Sequence, residues 1–270
     1  VFLGSGVSRQ SVGLNGKRPP LWVEFLKVGA SICTDAKVRA EINRQIKAGD
    51  LLTACEILKD ELGPAWNGLI SQEFVDPHYV SADIHEQIFK LDARLVITQN
   101  FDKIYDAYAT ANSQGTVVLK TYTEVDTAEF IRRRQRLILK AHGTIDQPGD
   151  MVFTRGDYAR ARHKHSSFYS LLDGLVLTHT CLFIGCGTSD PDIALMLERA
   201  VQLHPSTFPH YLVMGGSLSI SLRKAYRRTL NLEALAYSTA NNHEPLVPSI
   251  AVLQQRVEAR RLELAASLDW

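Results

Sequence analysis

The sequence holds no apolar run of about eighteen residues, the least that crosses a bilayer as a helix, so no membrane span is expected. It shows no basic leader ahead of a cleavable apolar segment. It opens instead on "VFLGSG", which reads as a strand already in progress, with natural residues expected before Val1. Cysteine is sparse: Cys33, Cys55, Cys181 and Cys186 form no C-x-x-C pair, which excludes a zinc ribbon. Cys181 and Cys186 lie in an apolar stretch and read as buried free thiols. Nothing suggests a disulfide framework, so a reducing cytoplasm is the expected compartment. Charge of either sign is also lacking in excess. A net charge of +1 gives no global field to draw nucleic acid or an anionic membrane, and strong direct nucleic-acid binding is not expected.

What is present is ordinary globular material: 270 residues, 45% hydrophobic and 22% charged, enough for a large α/β domain with an insert. Short apolar runs at "VFL", "LVIT", "TVVLK", "LILK", "CLFI", "HYLVM" and "ALAY" alternate with segments of helical spacing. That alternation predicts a Rossmann-like α/β fold, a parallel sheet with helices on both faces. Residues 36–76 break the pattern. They are helical throughout, interrupted at "KAGD" and "LGPAW", and predict an inserted helical module between a first part, 1–35, and a second, 77–270, of the Rossmann domain. "SVGLNGKRPP" reads as a polar, mobile loop.

Ligands of such sheets bind beyond the carboxyl ends of the strands. Four strand ends carry unusual residues: Gly4-Ser5-Gly6, Thr98-Gln99-Asn100, His142-Gly143, and Gly185 to Asp190. "GSGVS" offers close backbone approach to a phosphate, but Arg9 stands where G-x-G-x-x-G needs its last glycine. Asn100 and Asp102 suit a ribose and an amide, and equally suit the cap of the helix that follows. His142 suits a general base, although a lone histidine at a strand end is more often structural. Thr188, Ser189 and Asp190 suit ribose hydroxyls; Asp190 before Pro191 also has the form of a helix start. The basic clusters at 132–136, 160–165 and 223–228 read as solvated faces, with His163 and His165 in a basic loop.

The order and spacing of these elements carry more than each alone. "GSGVS", "TQNFD", "KAHGT", "FIGCGTSDPDI" and "ALAYS…NNHEPL" together resemble the sirtuin-like family over nearly the whole chain. The likeness is to the branch found in bacterial antiphage defence proteins, which hydrolyse NAD+. "VFTRGDY" and "GTSDPDI" point to that branch. Two departures separate the chain from the deacylases: it lacks their zinc-binding cysteines, and it lacks the segment that clamps an acyl-lysine peptide.

The resemblance implies NAD+ as substrate, no metal, and a division of labour. Gly4, Ser5 and Gly6 would approach the pyrophosphate, and Ser8 with the loop to Trp22 would close over the dinucleotide. Gln99 would touch a ribose hydroxyl. Asn100 would hold the nicotinamide ribose or water, Asp102 would accept from the nicotinamide amide, and His142 would be the base, with Gly143 giving room beside it. Gly185, Gly187, Thr188, Ser189 and Asp190 would face the adenosine half. It further implies an effector silent until triggered, a homo-oligomer, a companion ATPase or nucleic-acid-guided protein, and control through loop 10–20 or the helical module. Two other readings remain open: a module that senses NAD or ADP-ribose without turnover, and a protein deacylase.

Overall fold

The seven short apolar runs become seven strands of one sheet in a computed structural model, which describes residues 1–187, 190–204 and 208–267. They are β1 (Phe2–Leu3), β2 (Leu95–Thr98), β3 (Val118–Thr121), β4 (Leu137–Lys140), β5 (Leu182–Ile184), β6 (His210–Gly215) and β7 (Leu232–Tyr237). Their order is β3-β4-β2-β1-β5-β6-β7, and every pairing is parallel. The chain thus builds one half of the sheet outward from β1, returns, and builds the other half beyond β5. The reversal of direction at β1 opens a crevice at its carboxyl end.

Alternation along each strand divides the apolar residues between two layers. Phe2, Ile97, Leu137, Leu139 and Phe183 face one side, where Tyr158, Phe168, Leu172, Ile193 and Leu197 cover them from helices Arg155–Lys164, Ser166–Thr178 and Pro191–Leu203. Leu3, Val96, Ile138 and Ile184 face the other, against Ile84, Ile88, Tyr105, Ala109 and Ile250. A central strand buried on both faces reads as a continuous apolar run, which is why these segments were legible.

Three helices occupy the stretch 36–76, Ala36–Ala48, Leu51–Leu62 and Ala65–Phe74. Asp35 caps the first by accepting from the Lys37 and Val38 amides, and Gly49 ends it with a left-handed φ of 81°. Asp50 caps the second. Their apolar cluster extends beyond 36–76. It takes in Phe25, Leu26 and Ala30 from helix Trp22–Ile32, and Met151 and Phe153 from the chain beyond β4. Phe153 sits among four rings, with centroids at 5.6 Å to Trp22, 5.7 Å to Phe25, 5.2 Å to Trp66 and 4.6 Å to Phe101.

Two local expectations change. The "RARHKH" stretch is helical rather than a loop, because Thr154 and Asp157 form a capping box that starts helix Arg155–Lys164 ahead of it. His163 is exposed, but His165 is half-buried, edge-on to Tyr122 with centroids 5.0 Å apart. The polar loop 11–20 contains a 3-10 turn, Leu14–Gly16, and joins the rest of the chain through a bridge from Val12 to Val80. Among the described residues, no helix is long and apolar enough to cross a membrane.

Candidate active site

Strand register brings the strand ends together. Leu3 pairs with both Thr98 and Ile184, and Thr98 pairs with Lys140. The next residues, Gly4, Gln99, Ala141 and Gly185, therefore stand side by side at the carboxyl edge.

The two glycine turns lock into each other. The Gly4 amide donates to the Ile184 carbonyl at 3.0 Å, and the Gly6 amide to the Gly185 carbonyl at 3.0 Å. A Cβ on Gly4 would lie 2.4 Å from the Gly185 oxygen, and one on Gly185, whose φ is +66°, would lie 2.5 Å from the Val7 nitrogen. These glycines are thus required by backbone against backbone, whatever ligand they also approach.

Above the turns opens a cavity of about 920 Å³. That lies toward the upper end of the roughly 300–1,000 Å³ usual for small-molecule sites. Gly4, Ser5, Gly6, Ser8, Gln99, Asn100, Asp102, His142, Gly185, Gly187 and Asp190 all line it. Thr188 and Ser189 lie outside the described residues. Pro19 to Phe25, Leu51 and Phe74 line it as well.

One wall carries a directed chain of hydrogen bonds. Asn100 Nδ2 donates to the Gly4 carbonyl at 3.0 Å and to Ser8 Oγ at 2.9 Å. Ser8 Oγ donates onward to Asp102 Oδ2 at 2.7 Å. The other Asp102 oxygen accepts the Ile104 amide at 3.0 Å, an Asx turn just ahead of helix Ile104–Asn112, whose cap position is Lys103. Both carboxylate oxygens are thus engaged, and an amide from a ligand would have to use their remaining lone pairs. Beneath them Lys140 is fully buried, with Nζ donating to the Asp102 carbonyl at 2.5 Å and to Asp106 Oδ2 at 2.6 Å. Its position at the end of "LILK" hid it, since a terminal lysine reads as the polar end of a strand.

The end of the neighbouring strand β4 carries His142, which is 5% exposed. Its Nε2 lies 3.3 Å from Asp192 Oδ2, and its ring stands edge-on to Tyr158 at 5.1 Å. Burial alone would push the imidazole pKa down. The hydrogen bond to Asp192 and the charges of Asp190 and Asp192 outweigh burial and hold it above its ordinary value. Tyr158 Oη donates to Asp190 Oδ2 at 2.7 Å, while Asp190 Oδ1 caps helix Pro191–Leu203 through the Asp192 and Ile193 amides. Asp190 is both a cap and part of the cavity wall.

Gly143 has φ +80°, and a Cβ there would meet the Asp150 carbonyl oxygen at 2.6 Å, so the close return of the chain toward Met151 requires a glycine whatever room it also leaves beside His142. Sequence reasoning also missed Tyr158, Arg162 and Asp192. Arg162 belongs to a basic cluster expected to face solvent, yet its Nε donates to Asp192 Oδ1 at 2.6 Å. The one signal was the doubled aspartate of "DPD", where a single residue suffices as cap.

The family described as SIR2-like domain matches residues 94–235, more than half of the chain and most of the strands that build this edge. The chain belongs to the SIR2-like family. The expected sirtuin-like fold is therefore the fold this chain has. The SIR2-like chain is 28% identical over 221 residues to the NAD(+) hydrolase ThsA of Enterococcus faecium, covering 79% of this chain and 42% of that protein. It is 25% identical over 203 residues to the NAD(+) hydrolase ThsA of Bacillus cereus (strain MSX-D12), covering 74% and 39%. Defense-associated sirtuin 2 of Bacillus subtilis is 24% identical over 147 residues, covering 53% of this chain and 14% of that protein. The chain thus spans about two fifths of the length of the hydrolases it resembles.

Proposed function

We propose that this SIR2-like chain is an NAD+ hydrolase module that cleaves the nicotinamide–ribose bond of NAD+ with water, giving nicotinamide, ADP-ribose and a proton. The observation that carries this reading is that the Asn100–Ser8–Asp102 chain and a buried, carboxylate-paired His142 line one cavity from adjacent strand ends. The names of the relatives point the same way.

The chemistry asks little of a site. As the bond breaks, positive charge develops on the sugar and the nicotinamide leaves neutral. The protein must hold the dinucleotide, position water and receive one proton. His142 is the base. Asn100, with its amide group fixed by Gly4 and Ser8, orients the ribose or the water through its remaining oxygen. The glycine turns bring backbone close to the pyrophosphate, and Asp190 bounds the adenosine side. A deacylase is disfavoured, since the segment 147–172, which stands where deacylases carry their zinc module, here holds helix Arg155–Lys164 and the start of helix Ser166–Thr178.

The name of one relative, defense-associated sirtuin, supports a role in defence; the wider reading proposed with it is an effector that depletes NAD+, works in the cytoplasm as a homo-oligomer, and is released by a companion protein. The helical module, whose cluster reaches the cavity wall through Phe25, is the control point under this reading.

The test is NAD+ consumption by the purified protein beside His142→Ala and Asn100→Ala, with nicotinamide and ADP-ribose separated by chromatography. Turnover in the parent, lost in both variants, is expected. NAD+ binding without turnover in the parent, even with the companion protein added, would replace the hydrolase with a sensor.

A further inference from the structure

Behind His142 lies a second cavity, of about 300 Å³, between helices Ser166–Thr178 and Pro191–Leu203. His142 and Gln99 line both cavities, so they form the partition between them. Asp192 faces the rear side.

Asp192 is itself tightly held. Its side chain is 10% exposed. Its amide donates to Asp190 Oδ1 at 3.0 Å, which fixes its backbone at the start of the helix. One carboxylate oxygen meets His142 Nε2 at 3.3 Å, and the other takes Arg162 Nε at 2.6 Å. The Arg162 guanidinium lies 5.6 Å from the Tyr158 ring, which is the ring standing edge-on to His142. Two neighbouring aspartates thus divide the work. Asp190 caps the helix, and Asp192 is left for the imidazole.

We infer that Asp192 is a positioning residue for His142: it accepts the Nε2 proton, fixes one tautomer and ring orientation, and leaves Nδ1 as the lone pair that takes a proton in the reaction. Arg162 holds Asp192 in that pose. The inference rests on the hydrolase reading above. Its logic is general: a base within a protein works best when a third group sets its tautomer.

The charged and titratable groups facing His142 give the inference a signature. Asp190 and Asp192 come from helix Pro191–Leu203 and its cap, Arg162 and Tyr158 come from helix Arg155–Lys164, and Gln99 at the end of β2 is uncharged. Tyr169, on helix Ser166–Thr178, faces Asp192. The Asp192 carboxylate favours the imidazolium and the Arg162 guanidinium opposes it. Their removal must therefore move His142 in opposite directions, which a merely structural role does not require.

The experiment uses Asp192→Asn, Asp192→Glu and Arg162→Met. Two readouts are taken: NMR titration of the His142 imidazole in the unliganded protein, and the pH profile of kcat/KM for NAD+ cleavage. In Asp192→Asn the titration and the acid limb of the profile move to lower pH. kcat falls by at most the roughly 10²- to 10⁴-fold that a positioned general base contributes, while KM stays within about twofold. Asp192→Glu recovers part of the rate. In Arg162→Met both move to higher pH. If Asp192→Asn does not fold, Arg162→Met decides alone, because its side chain is 34% exposed. Shifts that are absent, or of the same sign in both variants, overturn the inference. NMR shifts as expected in a protein that never cleaves NAD+ would keep the pairing and discard the hydrolase. Cleavage with an unmoved acid limb would do the reverse.

Discussion

Ser8 Oγ donates to Asp102 Oδ2 at 2.7 Å, a bond that joins the turn after β1 to the turn after β2 across 94 residues of chain. The hydroxyl is buried and also accepts from Asn100 Nδ2. It orders two side chains on the cavity wall at once.

Ser8→Ala leaves Asn100 without one acceptor and Asp102 without one donor. A hydrogen bond to a charged group contributes about 1.5–3 kcal/mol. The variant should lose stability in that range, seen as a lower urea midpoint with an unchanged slope, and should lose NAD+ cleavage more than NAD+ binding. An unchanged midpoint would show that the bond is not maintained in solution.

Gly4→Ala places a Cβ 2.4 Å from the Gly185 carbonyl oxygen. Neither side can yield without parting the two turns. Overpacking of this kind costs about 1–3 kcal/mol, so the melting temperature should fall clearly. Gly49→Ala is the contrast: no atom lies within 4 Å of its Cβ, and only the left-handed φ of +81° penalises it. Equal losses in the two variants would refute the close approach.

Lys140→Met removes the partner of Asp106 inside the protein. Breaking a buried pair from one side costs about 3–5 kcal/mol, whereas replacing both partners by apolar groups is often neutral. Lys140→Met should thus be strongly destabilised, and Lys140→Met with Asp106→Leu should recover most of the loss. Denaturant unfolding of the single and double variants measures both.

His142 supplies a pH dependence of stability. Its folded pKa stands above the ordinary value of 6.5. Protonation therefore binds more tightly to the folded state. The stabilisation is fully present below the unfolded pKa and is lost as pH rises through the folded one. The melting-temperature difference between the parent and His142→Gln should grow from about pH 8.5 to about pH 5.5, a window that brackets the ordinary histidine range. A difference that shrinks on acidification would mean that burial outweighs the aspartates.

The strands and their polar ends were legible because burial on both faces demands unbroken apolar runs, and register carries the residue after each run to the same edge. Asn100, Asp102 and His142 follow from that rule. Their partners do not. Asp192 lies 50 residues from His142, and Lys140 lies 34 from Asp106. Nothing local marks a charge as buried. The backbone constraint on Gly143 was hidden for a related reason: it is the carbonyl of Asp150, which only the folded chain brings near. The spacing of helix Trp22–Ile32 shows an apolar face but does not say which cluster that face joins, and Phe25, Leu26 and Ala30 pack with the helices that follow.

The ring of Phe153 has a bearing on the cavity. It packs against Trp22, Phe25 and Phe101, all of which line the cavity, while lying outside the lining itself. Three lining side chains from two distant stretches of chain therefore share one buried support. A smaller residue at 153 would loosen all three together. The shape of the cavity is set in part by a phenylalanine that no bound molecule meets.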